Sequence, residues 1–264
     1  MKLTRYDSIR DFREVTAGFL LENEAENHLI IGIVGDLMHS SSYDDHPPYL
    51  AVVSDDGQIH ATAVRTPPYQ LVISRATATA ANLIASDAYS LYPDLPGVLG
   101  PSATARDFSE AWRSRSGRAF ELTVAQRIYQ TERVTPPEHV AGELRPATME
   151  DYELLLRWFE AFEHEAYGEG ERPQSAERLV TEFLSGNERG LGIWHDGQAV
   201  SMAGYKGPTP NGIRIGPVYT PPEWRRRGYG SACTAALSQH LLDIGYRSCF
   251  LFTDLSNPIS NSIY

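Results

Sequence analysis

A chain of 264 residues, 42% hydrophobic and 22% charged, has the length of one or two domains and enough apolar side chains to bury a core. Its formal net charge of −11 argues against a general nucleic-acid binder, which needs a basic face, and is compatible with a cationic substrate. No apolar run approaches the roughly 20 residues that span a bilayer, and residues 1–7 lack a signal peptide's apolar stretch, so no membrane partner and a cytoplasmic location are expected.

Residues 9–37 suit helices, with Phe12, Val15, Phe19 and Leu20 at helical spacing. Residues 49–53 and 58–64 read as two arms of a hairpin about Ser54-Asp55-Asp56-Gly57, and 69–73 as a further strand. Residues 77–89 and 105–114 suit helices. The segment 136–142 holds proline and glycine with little periodicity and divides the chain into two halves. Beyond it, 144–146 reads as a strand. Thr148 caps a helix that starts with acids and continues over 152–166, and 176–184 is a second helix. Strands follow at 190–194 and 198–205 about a His195-Asp196-Gly197 turn, then at 212–219. Gly245 closes a helix over 228–244. Residues 248–253 form a short apolar strand, and Asn257 caps a last helix with Pro258 in its first turn. The second half thus runs β-α-α-β-β-β-α-β-α, and the helices-then-strands order of the first half hints at a duplication. Cys233 and Cys249 lie in apolar segments and read as reduced, core-packed thiols; no Cys/His spacing suggests zinc, and no metal is expected.

The chemistry concentrates where the strand 212–219 leads through Thr220-Pro221-Pro222-Glu223-Trp224 into Arg225-Arg226-Arg227-Gly228-Tyr229-Gly230-Ser231. Three cations at a helix start oppose the helix dipole by roughly 0.3–1 kcal/mol each. A bound anion resolves that conflict, because free backbone N–H groups at a helix start bind phosphate oxygens. Gly228 and Gly230 let the backbone approach such a ligand, and Ser231 keeps the first turn small. The alternative is that the arginines are solvated and the glycines only end a loop. No Gly-Lys-Ser/Thr follows, as a Walker loop requires, and Cys233 stands where a dinucleotide fingerprint needs its third glycine.

Arg225-Arg226-Arg227-Gly228-Tyr229-Gly230 resembles the R/Q-x-x-G-x-G/A signature of the GNAT N-acetyltransferase superfamily. The resemblance implies an α+β fold with a mixed, mostly antiparallel central sheet flanked by helices. It implies acetyl-CoA as co-substrate, its pyrophosphate held by the loop amides and its pantetheine arm along Val218, Tyr219 and Thr220. Residues 257–264 are similar to the family's N-x-x-A/S-x-x-x-Y segment: Asn257 and Ser260 would contact the pantetheine arm, and Tyr264 would protonate the leaving thiolate. An ordinary core or terminal tyrosine is the alternative there. The implied reaction is direct attack of an amine on the thioester, the acceptor being a small molecule or a peptide, with a Tyr219 backbone N–H stabilising the oxyanion. A homodimer is among the expected assemblies. A non-catalytic acyl-CoA sensor or scaffold would use the same residues. Glu160, Glu163, His164 and Glu165 crowd the end of the 152–166 helix, as a base for the acceptor or as a solvated acidic end. The resemblance covers 141–264 as the acyltransferase domain, stopping at Tyr264 before the family's closing strand. Leu95 to Pro101 followed by Phe108 to Trp112 resembles the amino-terminal half of two-lobed bacterial members, which implies a degenerate copy of the domain over 1–140, since no arginine-glycine cradle is present; Gly97 and Gly100 suit a loop there, but Pro101 removes an N–H donor, and a structural or substrate-lid role is expected.

Overall fold

The computed structural model describes residues 1–39, 47–167, 175–186, 188–258 and 261. They fall into two compact units, 1–123 and 124–264. Among the described residues no helix is long and apolar enough to cross a membrane.

The first unit runs β1 (Lys2–Arg5), α1 (Ile9–Leu21), α2 (Glu24–His39), β2 (Tyr49–Asp55), β3 (Gln58–Arg65), β4 (Leu71–Ile73), α3 (Ala78–Leu91), β5 (Val98–Leu99) and α4 (Ser102–Ser116). Its sheet has the order β1-β2-β3-β4-β5, with only the β4–β5 pair parallel. Strand β2 is buried on both faces. Tyr49, Ala51 and Val53 meet α3 and Phe108, while Leu50 and Val52 meet Phe12 and Ile30. Such alternation is what a period of two delivers when helices cover both sides of a sheet. On α1 the buried line is Phe12, Thr16 and Leu20. Val15 lies about 100° of helical rotation from its centre and is 45% exposed, against the expectation from spacing. The Gly97-to-Pro101 stretch, read as a loop, contains β5. A Cβ on Gly100 would lie 2.6 Å from the carbonyl oxygen of Ile73, so a glycine lets that parallel pair close.

The second unit runs β6 (Gln126–Thr131), β7 (Glu143–Pro146), a short 3-10 turn (Met149–Asp151), α5 (Tyr152–Tyr167), α6 (Ala176–Leu184), β8 (Gly190–His195), β9 (Ala199–Lys206), β10 (Gly212–Tyr219), a second 3-10 turn (Pro222–Trp224), α7 (Tyr229–Asp243) and β11 (Ser248–Asp254). Its sheet order is β6-β11-β10-β9-β8-β7. From β7 to β11 it repeats the strand order and helix placement that β1 to β5 show in the first unit. Both sheets are mostly antiparallel with one parallel pair, and both are flanked by helices. Strand β6, to which the sequence pattern assigned no element, pairs antiparallel with β11 and occupies the sheet edge there. Two clusters sandwich this sheet. Leu155, Phe159, Val180 and Phe183 pack with Ile193 and Met202 on the α5/α6 side, and Cys233, Leu237 and Leu241 pack with Ile213 and Ile215 on the α7 side. Cys233 and Cys249 are both free and buried, and burial pushes the thiols up to about 12 and about 11.

Thr148 caps the start of this unit's first helical segment as expected, with Asp151 completing a capping box. Asp151 also accepts from Arg145 Nη1 and Nη2 at 2.8 and 2.6 Å, and from the Thr148 N–H at 2.9 Å. The arginine, first, and the backbone donor hold its carboxyl below the ordinary aspartate value of 3.8. A depressed folded value stabilises above the unfolded one, so this contribution is full above about pH 4 and fades as pH falls below it. Asp151→Asn is expected to cost about 1–2 kcal/mol at pH 7 and almost nothing near pH 2, read from urea midpoints at both values.

Candidate active site

Strand β10 positions the site by what it does not pair. Among the described residues it is laddered to β11 only over Gly212–Arg214 with Ser248–Phe250. Residues 215–219 therefore have no ladder partner on the β11 side. On the other side its register with β9 shifts between Ile215 and Val218, where Gly216 has φ 137° and Pro217 carries no N–H. The shift re-aims the strand. Ile213 and Ile215 face α7, whereas Tyr219, which shares their parity, joins the α5/α6 cluster beside Trp158, ring centres 6.3 Å apart. Tyr219 is buried. Burial first, then the nearby Glu165 carboxylate, raises its phenol above the ordinary tyrosine value. Val218 and Thr220 are half-buried. Ser201 Oγ donates to the Tyr219 carbonyl at 3.0 Å and lies 2.8 Å from Thr220 Oγ1, pinning the strand end.

After Pro222–Trp224 the chain reaches the arginines. Arg225 turns inward: its Nε donates to the Thr220 carbonyl at 2.8 Å, and its Nη2 lies 2.8 and 2.7 Å from the Glu165 oxygens. Arg226 (φ 63°) and Arg227 are exposed, and the Arg227 guanidinium lies 4.9 Å from the centre of the Trp224 ring. Gly228 then stands as the N-cap of α7 with φ 82°, in the left-handed region, and no side chain caps the helix. Its backbone leaves no room for a Cβ, which would meet Val140 Cγ2 at 2.8 Å. The glycine is thus demanded by the protein's own backbone and by Val140, before any ligand is considered. Ala232 donates to the Gly228 carbonyl, and the N–H groups of Tyr229, Gly230 and Ser231 belong to the uncapped first turn. Tyr229 is fixed through its hydroxyl, which donates to Asp196 Oδ2 at 2.6 Å; that bond raises its phenol. The sequence placed Asp196 only in a hairpin turn, and its link to α7 was missed.

The first unit offers a control. There Thr77 is the N-cap of α3, and its side chain accepts from the Ala80 N–H. The corresponding helix start is closed by its own side chain, whereas that of α7 is open.

From Ser231 a cleft of about 470 Å³ runs along α7, within the usual range for a small-molecule site. Ile215, Cys249 and Leu251 floor it; Ser231, Thr234 and Ser238 form its helical wall; residues 133–135 and Pro137 cover it. Thr234 Oγ1 is buried there without a hydrogen-bond partner. An unmet buried hydroxyl costs about 1–3 kcal/mol. The residues between Arg225 and Ser231, with Val218 to Thr220, are thus gathered at one end of β10 and α7. Asn257 lies beyond β11, exposed, its N–H donating to the Asp254 carbonyl. Ser260 and Tyr264 lie outside the described residues.

Residues 152–264 match the model of the acetyltransferase (GNAT) family. An acetyltransferase of the GNAT family from Colwellia psychrerythraea has the same fold over 100% of this chain and 93% of its own, with a TM-score of 0.56 at 12% identity. A Drosophila protein does so over 99% of this chain and 92% of its own, with a TM-score of 0.60 at 11% identity. No curated protein matches the chain. The second unit has the strand order, the open helix start and the Arg-x-x-Gly-x-Gly run together, residues 152–264 match the GNAT acetyltransferase family's model, and the chain shares the fold of these proteins along its whole length.

Proposed function

We propose that the chain is a cytoplasmic N-acyltransferase that transfers the acetyl group of acetyl-CoA to a primary amine by direct attack. The observation that carries this reading is the uncapped start of α7. Its free N–H groups, its glycine N-cap and two exposed arginines without an ion pair among the described residues suit a pyrophosphate. The gap beside residues 215–219 and the cleft along α7 suit the rest of a long, polar thioester.

In this reading, the backbone N–H groups of Gly228 to Ser231 bind the pyrophosphate with Arg226 and Arg227. Val218, Tyr219 and Thr220 align the pantetheine arm, and the Tyr219 N–H faces the charge that develops on the thioester oxygen. Asn257 and Ser260 hold the arm from the other side, and Tyr264 supplies a proton to the departing thiolate. The second unit carries this chemistry. The first is a degenerate copy, its equivalent helix start closed by Thr77.

Coenzyme A binding and acetyl-CoA turnover with a panel of primary amines, measured on the full chain, test the proposal. Binding at micromolar coenzyme A that ATP does not relieve, with turnover on at least one amine class, is the expected result. Binding without turnover on any amine is what a non-catalytic sensor would give. Equal competition by ATP and coenzyme A would remove the thioester from the reading.

A further inference from the structure

Arg225 opens the signature, yet its donors are directed away from the role that position suggests. Of its guanidinium, Nε is spent on the Thr220 carbonyl and Nη2 on both oxygens of Glu165. The guanidinium carbon lies 5.7 Å from the centre of the Tyr219 ring. Only Nη1 is left without one of these partners, and the charge is already met by a carboxylate, so an arriving phosphate gains less from Arg225 than from an arginine with no carboxylate partner. Arg226 and Arg227 face no such competitor.

The first unit shows the same clasp where no phosphate seat exists. Arg75 follows β4 as Arg225 follows β10, and it pairs with Glu26 through both Nε and Nη2. Glu26 opens α2, just after α1, and Glu165 lies near the end of α5, before α6; both stand at the corner between the two helices that follow the first strand of the repeat. Yet α3 is closed by Thr77. An arginine–glutamate tie from the helix corner to the segment after the fourth strand therefore exists without an open helix start to serve.

We propose that Arg225 is a positioning residue clasped by Glu165, not a phosphate ligand, and that the pair ties the end of helix α5 to the end of strand β10. The proposal rests on the coenzyme reading above for its kinetic consequences, but not for its geometry. The tie sits where β10 has lost its ladder on one side and shifted register on the other. There the backbone at Tyr219 keeps its pairing with Met202 of β9, and side chains add to it: Ser201 from within the sheet, and Arg225 through Thr220. The consequence is a division of labour among three adjacent arginines. Arg226 and Arg227 set coenzyme affinity; Arg225 and Glu165 set the rate.

The test uses the full chain with Glu165→Gln, Arg225→Gln, their double variant, Glu165→Asp, and Arg226→Gln for comparison. Coenzyme A affinity should weaken about tenfold in Arg226→Gln and stay within about twofold in Glu165→Gln and Arg225→Gln. In those two, kcat should fall about tenfold with an unchanged KM for acetyl-CoA, the double should be no worse than either single, and Glu165→Asp should recover most of the rate. Without any ligand, amide exchange at residues 218–220 should quicken alike in the two singles and the double, since each breaks the same tie. Arg225→Gln weakening coenzyme A as much as Arg226→Gln would overturn the proposal. If the unmodified chain binds no coenzyme A, the proposed function fails while the exchange measurements still judge the clasp: matched quickening upholds it, and unchanged exchange overturns it.

Discussion

Gly228→Ala is expected to cost about 2–3 kcal/mol of stability and to weaken coenzyme A binding by more than about tenfold. Two independent penalties act at this position. A non-glycine residue at φ 82° pays about 1–2 kcal/mol for the left-handed conformation. The new Cβ also meets Val140 Cγ2 at 2.8 Å, and one of the two must move. Movement of Gly228 tilts the first N–H groups of α7, which is why binding should suffer together with stability. Val140→Ala in the Gly228→Ala background separates the two penalties. It should return the part of the stability due to the clash and leave the conformational part. Calorimetry of the three proteins with and without coenzyme A reads both quantities. Full recovery in the double variant would show that the left-handed conformation carries no cost here.

Phe250→Ala should be the most damaging change to the second unit's stability, at about 3–5 kcal/mol, the usual range for truncating a fully buried phenylalanine. Phe250 is 1% exposed, and its ring edge fills the place where a Cβ on Gly212 would stand. Those two residues flank the three-residue ladder between β10 and β11, on which the opening beyond it depends. The urea transition of the second unit should move to lower concentration with an unchanged slope, because the unfolded surface is the same. A loss below about 1 kcal/mol would mean that the surrounding core refills the space.

What was legible in the sequence was what local physics decides. The Thr148 cap, helix 176–184, strand 212–219 and the Gly245 stop each carry their signal within a few residues, and each stands in the structure where that signal put it. The short strands at Gln126–Thr131 and Val98–Leu99 were not legible. Neither has a long apolar alternation, and each is a strand because a neighbouring strand offers it a ladder. Val15 looked buried on spacing alone, but which side of α1 meets the core is set by the sheet. At the site, the open helix start could be read from Gly228 and its arginines. The fate of Arg225 could not, since its partner Glu165 is remote in sequence. A hint existed: acids crowding the end of a helix, in the same half as arginines placed at the wrong end of a dipole, are residues in want of each other.

Strand β6 carries a practical consequence. Along β11 run Cys249, Phe250, Leu251 and Phe252, and Gln126, Arg127, Gln130 and Thr131 lie along the strand that covers it. The second unit's sheet thus wears a hydrophilic hem taken from the chain that precedes β7. Cutting the chain at residue 141 would strip that hem and leave an apolar row of unpaired amides and carbonyls, the kind of margin along which proteins stick to one another. A soluble fragment of this unit should therefore begin near residue 124, where the hem begins.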